Sequence, residues 1–258
     1  MRLFTFGCSY TRWHWPSWAD IIARDIGCHY ENWAEPGLGN VGIQHKMLEC
    51  DLKNKFTEDD LVLVAWSGWS REDRYLGHWK LTGNVATGKS FGNSYTTEFL
   101  EKYWHPENDV MKNATAIVAA NRCHNINYQS HIFDYDVSLN ERTGPSDQRK
   151  SAVDSKFDYL IDAMPDKILF DNTNNTQYNG LVPYDRHPDI LCQLEYVNTV
   201  YDTIGRKLKD ETVNYYTNMY DNLISTITQM PTLSDHSKVA AAMQQFFGKR
   251  YMSESIGI

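Results

Sequence analysis

Ser9 is the first residue whose type and position could do chemistry. It follows the apolar start Leu3 to Cys8 and a glycine, Gly7. A serine in the turn after a buried strand exposes its hydroxyl, and nearby backbone N–H groups can stabilise an oxyanion. The alternative is a serine that caps the next turn or helix, which is common in loops between strands and helices. By itself the fragment fits a nucleophile or a cap.

His187 belongs to a second such fragment, with the sequence YDRHPD at positions 184–189. Pro188 suits the first turn of a helix, so the imidazole is predicted to lie at the mouth of that helix. Asp185 could orient the imidazole and stabilise its protonated form. The alternative is a histidine in a surface loop beside charged neighbours. The pattern therefore predicts a general base with its acid, or an ordinary loop.

A third fragment, NWAEPGLGN at positions 32–40, forms a turn with two glycines and an asparagine. Backbone N–H groups there and the Asn40 carboxamide can point at a shared anion. The alternative is a plain turn in which Asn40 caps a helix. The segment GLGNVG at 37–42 lacks the tight strand-to-helix context of a dinucleotide-binding fingerprint.

Alternating strand and helix patterns must position these fragments. Strands are predicted at 3–8, 29–34, 61–66, 132–135 and 167–170, and helices at 18–26, from 40, around 110–120, at 153–164 and at 188–208. Such alternation predicts a parallel sheet in three layers, whose ligands bind beyond the carboxyl ends of the strands. The three fragments follow the first, second and fifth strands, so they are expected at that edge.

Three helix details sharpen the pattern. Ser17 with Asp20 is a helix-start signal, and Gly27 is a stop signal. The helix from Asn40 is predicted to place four apolar side chains on one side: Val41, Ile43, Met47 and Leu48.

Two segments depart from the alternation. Residues 70–108 are rich in glycine, aromatic and polar residues and are predicted to be a long insertion in an α/β domain that spans 1–209. Residues 210–258 are predicted to be a helical extension with two amphipathic helices, the second capped by Ser234. The extension could pack on the core, cover the site or form a homo-oligomer contact, and the pattern does not choose among these.

Composition excludes several classes of protein. The 258 residues carry a net charge of −8, which argues against nucleic-acid binding. No window offers the roughly 18 apolar residues of a membrane span, and the first residues read as a strand and not as a signal peptide. The five cysteines form no CxxC pair, so a disulfide scaffold and a structural zinc site are both disfavoured. These features predict a cytoplasmic protein without metal.

In their order along the chain, the fragments resemble the SGNH, or GDSL-like, hydrolase family. Gly7-Cys8-Ser9 is similar to its Gly-Asp-Ser start, Asn32 with Gly37 to its second block and His187-Pro188 to its last. The resemblance spans roughly residues 2–208. It implies a flavodoxin-like three-layer α/β/α fold with a five-stranded parallel sheet in the order 2-1-3-4-5. It also implies that Ser9 is the nucleophile, Gly37 an oxyanion donor and His187 the base.

The chain departs from the family pattern in three places. Cys8 stands where the family has an aspartate that is not the nucleophile. Asp185 precedes His187 by two residues instead of three, so the histidine could also work with a backbone carbonyl. The third strand continues without the usual Gly-x-Asn, and Asn40 is predicted to supply the missing oxyanion donor. Residues around that strand end are predicted to bind substrate: Trp66, Ser67, Trp69 and Arg71.

The resemblance implies a serine esterase that needs no cofactor. All eight tryptophans lie in the first 104 residues, so several are expected around Ser9 and none from the extension. Aromatic faces suit an acylated sugar, which makes a carbohydrate O-acetyl or short acyl ester the first candidate substrate; a lipid or a thioester stays open, and the tryptophans could instead be packing residues. The alternatives are a glycan-binding or structural virion protein and an acyltransferase. Similar patterns occur among tailed-phage proteins.

Overall fold

The computed structural model describes most of the chain in separate ranges. These are 1–68, 71–75, 79–84, 96–103, 105–123, 127–132, 159–160, 163, 177–182, 185, 187–203, 205–231 and 237–248. The strands in these ranges are β1 (Arg2–Phe6), β2 (His29–Asn32), β3 (Leu61–Trp66), β4 (Arg71–Tyr75), β5 (Trp79–Asn84) and β6 (Asn127–Ile132). The helices are α1 (Trp18–Ile26), α2 (Asn40–Asn54), α3 (Thr97–Tyr103), α4 (Pro106–Cys123), α5 (Ile190–Thr203), α6 (Asp210–Gln229) and α7 (Ser237–Phe247).

The main sheet confirms the predicted α/β class. Its described strands follow the order β2-β1-β3-β6, and β3 pairs with β6 in parallel from Leu61 opposite Asn127 to Trp66 opposite Ile132. The segment predicted as the fifth strand, 167–170, lies outside the described residues. The five-strand count and the full order therefore stay predictions. Most of the helix predicted at 153–164 also lies outside those ranges.

Helix α1 begins and ends where its signals predict. The Ser17 backbone N–H donates to the Asp20 carboxylate at 2.8 Å, and the Ser17 hydroxyl oxygen lies 3.0 Å from the same carboxylate oxygen. At the other end, Gly27 has φ 67° and its N–H donates to the Ala23 carbonyl at 2.9 Å. Glycine enters this left-handed conformation without the steric penalty of a Cβ, which is why the helix ends there.

Helix α2 begins at Asn40 as predicted, but it buries a different face. Ile43 and Met47 are fully buried, whereas Val41 is 39% and Leu48 51% exposed. At 3.6 residues per turn, Val41 and Leu48 lie roughly 160° and 140° around the helix from Ile43. The prediction that all four side chains share one side was therefore wrong for Val41 and Leu48.

The fourth strand of the chain's main sheet, β6, begins earlier than predicted. It occupies Asn127–Ile132 and shares Ile132 with the predicted range 132–135, whose other residues lie outside the described part of the chain. Its sequence, NYQSHI, is mostly polar and gave only a weak strand signal, because a buried parallel strand usually reads as a continuous apolar run. The predicted insertion contains regular structure, since β4 and β5 form an antiparallel hairpin.

The chain divides into two compact units. The first contains residues 1–3, 9–32 and 170–258, and the second contains residues 4–8 and 33–169. The core of the second unit contains side chains of β1, α2, β3 and α4, including Phe6, Val64, Trp66 and Ile117, together with Leu38 from the loop before α2. In the first unit, α1 packs against α5 and α6, and α6 packs against α7.

The helices after residue 209 pack inside the first unit. Helix α6 buries five large side chains: Tyr216, Met219, Tyr220, Leu223 and Ile227. The Tyr216 hydroxyl donates to the Asp20 carbonyl at 3.1 Å, and the Arg24 guanidinium lies 3.5 Å from the centre of the Tyr215 ring. The predicted cap of the last helix, Ser234, lies outside the described residues.

Candidate active site

Thr11, two residues after Ser9, fixes the loop that carries Ser9 through hydrogen bonds. The Thr11 carbonyl accepts hydrogen bonds from the Ser17 hydroxyl at 2.6 Å and from Asn32 Nδ2 at 2.9 Å. The Thr11 hydroxyl oxygen also accepts one from the Trp18 indole at 3.3 Å. These bonds hold the turn after β1 against α1 and the end of β2. Ser9 itself is only 6% exposed, in contrast to the exposed hydroxyl expected from its place after the strand.

Asp185 and His187 form a hydrogen-bonded pair in the same unit as Ser9. Asp185 Oδ1 lies 2.7 Å from His187 Nδ1 and accepts the His187 backbone N–H at 2.9 Å. The carboxylate is buried, while the imidazole keeps 21% of its side-chain surface exposed. An imidazole whose Nδ1–H donates to a carboxylate presents Nε2 as the basic nitrogen. The two-residue spacing therefore allows the acid–histidine contact expected from the sequence.

Burial and pairing act on Asp185 in opposite directions. Burial by itself raises the pKa of this carboxyl, but the hydrogen bonds and positive charge of His187, with the Trp13 indole N–H, outweigh burial. The net effect lowers the pKa of Asp185 below its ordinary value. The carboxylate stays ionised and can stabilise an imidazolium beside it.

Aromatic rings surround His187. The Trp13 ring stacks on the imidazole with 3.7 Å between ring centres and 20° between the planes. The Tyr10 ring centre lies 5.4 Å from the imidazole, so the residue after Ser9 reaches the candidate base. Trp15 approaches edge-on at 6.4 Å. Trp13 is one of the tryptophans expected near Ser9, but its contact with His187 was not predicted.

Helix α5 begins just after the pair and fixes its loop. This helix begins at Ile190 and not at the predicted Pro188, and Asp189 caps it, since Asp189 Oδ1 accepts the Cys192 N–H at 2.9 Å. The Pro188 carbonyl accepts the Trp15 indole N–H at 2.8 Å. One turn into α5, Gln193 Oε1 accepts the Trp18 N–H at 2.9 Å. The loop with His187 and the segment after Ser9 are thus joined at several points.

The other predicted site residues belong to the second unit. Gly37 has φ 87°, a conformation that requires glycine. The Asn40 carboxamide is fully buried, where its Oδ1 accepts the Ser67 N–H at 2.8 Å and its Nδ2 donates to the Ser67 carbonyl at 2.9 Å. A carboxamide carries two N–H bonds, so this pairing accounts for one of them.

The four predicted substrate-binding residues have different environments. Trp66 is fully buried in the core of the second unit, which fits the packing alternative better than a substrate contact. The Ser67 hydroxyl and the Arg71 guanidinium both donate to the Leu38 carbonyl, at 3.0 and 2.9 Å. Trp69 lies outside the described residues.

Asp73 is a residue that sequence reasoning missed. Its carboxylate reaches from β4 to the start of α2, where it accepts the N–H groups of Gly39 at 2.7 Å and Gly42 at 2.8 Å. A Cβ on Gly39 would meet Asp73 Oδ2 at 2.7 Å, which explains the glycine. Burial raises the pKa of Asp73, and the two N–H groups oppose that rise. The anion expected in this turn is thus the protein's own Asp73 carboxylate for the N–H groups of Gly39 and Gly42.

Within the described ranges, no helix is long and apolar enough to cross a membrane. The same ranges hold no group of three or more His, Cys, Asp or Glu residues placed to bind a metal ion.

The chain matches no family model, and no curated protein matches it. Among solved structures, it is similar to a member of the lipolytic protein G-D-S-L family from Veillonella parvula DSM 2008, with 12% sequence identity and a TM-score of 0.39. It is also similar to a candidate SGNH hydrolase from Slackia heliotrinireducens, with 15% identity and a TM-score of 0.36. Each comparison covers 80% of this chain and 99% of the other.

Proposed function

We propose that this protein is a serine hydrolase that cleaves a carboxylic ester, with Ser9 as nucleophile, His187 as base and Asp185 as its orienting acid. The observation that carries the proposal is the Asp185–His187 contact of 2.7 Å at Nδ1. That contact directs Nε2 away from the carboxylate, as a general base requires. Further support comes from Tyr10, which joins the Ser9 turn to the imidazole.

The reaction follows from these roles. His187 Nε2 takes the Ser9 proton as Oγ attacks the ester carbonyl, and Asp185 stabilises the imidazolium. The imidazolium then protonates the departing alcohol, leaving an acyl-enzyme that water hydrolyses with His187 again as base. The Ser9 backbone N–H would donate a hydrogen bond to the oxyanion. One such donor is worth about 3–4 kcal/mol of barrier.

The proposed substrate is an O-acetyl or short acyl ester on a carbohydrate. The rings of Trp13 and Tyr10 lie beside His187 and are only partly buried. Flat aromatic faces next to a hydrolytic serine would suit the apolar face of a sugar ring. Trp15 is 1% exposed, so it contributes to packing behind this surface.

A covalent probe and an ester panel test the proposal together. We expect a fluorophosphonate to label the wild type, and expect Ser9→Ala and His187→Ala each to abolish labelling. Against p-nitrophenyl acetate and acetylated sugars, each variant should lose about 10⁴-fold or more in kcat. Arg24→Ala, which removes a cation from the Tyr215 ring, is the matched surface control and should keep its activity. Unchanged hydrolysis by both Ser9→Ala and His187→Ala would disprove the assignment.

A second candidate is a glycan-binding protein without catalysis. The observation that favours it is that polar groups at the start of α2 are hydrogen-bonded to other groups of the protein. Asn40 pairs with Ser67, and the Asp73 carboxylate accepts two backbone N–H groups. Glycan binding by a wild type that the probe never labels would support this candidate. An acyltransferase would instead label at Ser9 and pass its acyl group to an added sugar faster than to water.

A further inference from the structure

We propose that Trp13 is a positioning residue for His187, holding the imidazole in its working orientation by stacking on it and by sharing its acid. This inference rests on the proposed function, because it assigns a role relative to the Ser9–His187 pair.

The short spacing between acid and histidine leaves the imidazole held at one edge. One oxygen, Asp185 Oδ1, takes both the backbone N–H and the Nδ1 of His187. Both contacts are local, since the residues are two apart. They fix Nδ1, but a ring held at one atom can still tilt. The orientation of Nε2 therefore needs a second constraint.

Trp13 supplies a constraint on the plane of the ring. The 3.7 Å separation and 20° angle place the indole face against the imidazole face, so tilting the imidazole would bring the two rings into collision. The Trp13 indole N–H also points to Asp185 Oδ2 at 3.4 Å, a long hydrogen bond. One side chain thus contacts both members of the acid–base pair: its ring stacks on the imidazole, and its N–H faces the carboxylate oxygen that His187 does not use.

The indole is itself held from behind. Trp15 packs edge-on against Trp13, with 6.2 Å between the ring centres and 89° between the planes. Trp15 is almost completely buried, and its indole N–H donates to the Pro188 carbonyl. The segment 13–15 therefore meets the segment 185–188 at three points: Asp185, His187 and Pro188. A stacking partner with this support is fixed before substrate arrives.

Stacking also favours the charge that forms during the reaction. A cation within about 6 Å of an indole face is attracted by the ring quadrupole. In the proposed reaction His187 gains positive charge as it takes the Ser9 proton, so the attraction grows in the transition state relative to the bound ester. Loss of Trp13 should therefore lower kcat and leave KM nearly unchanged. A Trp13 that only bound substrate would raise KM instead.

The test compares Trp13→Phe, which keeps a stacking ring, with Trp13→Leu, which loses both the stack and the N–H. The readouts are the second-order rate of fluorophosphonate labelling at Ser9, and kcat and KM for p-nitrophenyl acetate. We expect about a 3- to 10-fold loss in labelling rate and kcat for Trp13→Phe and about a 30- to 100-fold loss for Trp13→Leu. The matched control Trp33→Phe, in the second unit, should stay within about twofold.

A double-mutant cycle separates positioning from general damage to the fold. Combined with Asp185→Asn, Trp13→Phe should cost less than it does alone, whereas Trp33→Phe should add independently. Unlabelled wild type would overturn the proposed function and this inference with it. Labelled wild type with an unchanged rate in Trp13→Leu, a rise confined to KM, or additivity of Trp13→Phe with Asp185→Asn would overturn the inference alone. Circular dichroism confirms that each variant is folded.

Discussion

Among single residues, Asp185 carries the widest set of roles in the candidate site. Its Oδ1 serves the backbone N–H and the ring of His187, and its Oδ2 faces the Trp13 indole. Three donors around one buried carboxylate favour its ionised form, which lowers its pKa despite burial. The same contacts that orient the imidazole therefore also contribute to the stability of the folded chain.

This lowered pKa predicts a pH-dependent effect of Asp185→Asn. A carboxyl with a folded pKa below its unfolded value, about 3.9, contributes stability above that value and loses it as the pH falls through the folded pKa. We expect the wild type to exceed Asp185→Asn in free energy of unfolding at pH 5, where the Asp185 carboxyl is ionised in both the folded and the unfolded chain. The difference should then shrink below about pH 4.

Urea unfolding at pH 7, 5 and 3 measures that difference. Asp59→Asn is the control, because Asp59 lies exposed on the surface. A difference between the wild type and Asp185→Asn that does not change with pH would contradict the pairing.

The sequence indicated candidate chemical roles for single residues more readily than it indicated which residues contact each other. The histidine with an acid two residues away could be read locally, and the two do make contact. The bond between Trp13 and Asp185 joins residues 172 positions apart. A contact of that separation depends on how β1, α1 and α5 are arranged, which no local pattern encodes. Asp73 at Gly39 and Gly42 is hidden for the same reason.

At the level of elements, the hairpin β4–β5 is attached to α2 through a carboxylate. The first N–H groups of a helix have no partner inside it, so an anion there satisfies them and meets the positive end of the helix dipole. Asp73 fills this role for Gly39 and Gly42, while Arg71 on the same strand donates to the Leu38 carbonyl. Gly42 has no room for a side chain, because a Cβ would lie 2.4 Å from Leu38.

Asp73→Ala should destabilise the chain by about 1–3 kcal/mol, because it leaves two backbone N–H groups without their acceptor. Its pH dependence should be opposite to that of Asp185. A carboxyl whose folded pKa is raised contributes most below its unfolded pKa, about 3.9, and loses that contribution as the pH rises through the folded pKa. The stability gap between the wild type and Asp73→Ala should therefore narrow on going from pH 3 to pH 7.

Denaturant unfolding between pH 3 and pH 7 tests both the size of the destabilisation by Asp73→Ala and the direction in which it changes with pH. Asp59→Ala is the matched control and should change the free energy of unfolding by less than about 0.5 kcal/mol. A gap that widens as the pH rises would show that the hydrogen bonds from Gly39 and Gly42 outweigh the effect of burial on Asp73.

Helices and strands were predicted most accurately where the sequence carries both a start signal and a stop signal. Helix α1 has a start signal at Ser17 and Asp20 and a stop signal at Gly27, and its bounds were confirmed. Helix α2 has a clear start signal, but the sequence does not show which of its two possible apolar faces is buried, because that depends on the elements that pack against the helix. Strand β6 carries mostly polar residues, so its position emerged only from its pairing with β3.

For the whole molecule, the division into two units changes how residues 210–258 should be viewed. The change in sequence pattern near Asp210 suggested an extension to a domain ending at 209. In the structure, α6 packs against α1 and α5, and its buried side chains include Leu223 and Tyr220. The Tyr220 ring stacks on Tyr178, whose ring meets Trp15 edge-on. The helices after 209 therefore contribute to the packing behind the candidate base.

A pair of identical substitutions tests that contribution in the full chain. Leu223 on α6 is 1% exposed, whereas Leu52 on α2 is 73% exposed. Leu223→Ala removes buried methyl groups and leaves a cavity in the first unit, so it should lower the free energy of unfolding by about 2–5 kcal/mol. Leu52→Ala should change it by less than about 0.5 kcal/mol. If residues 210–258 were only a loosely attached extension, Leu223→Ala would leave the main unfolding transition at the wild-type position. Equal denaturant midpoints for the wild type, Leu223→Ala and Leu52→Ala would therefore refute the place of these helices in the core of the first unit.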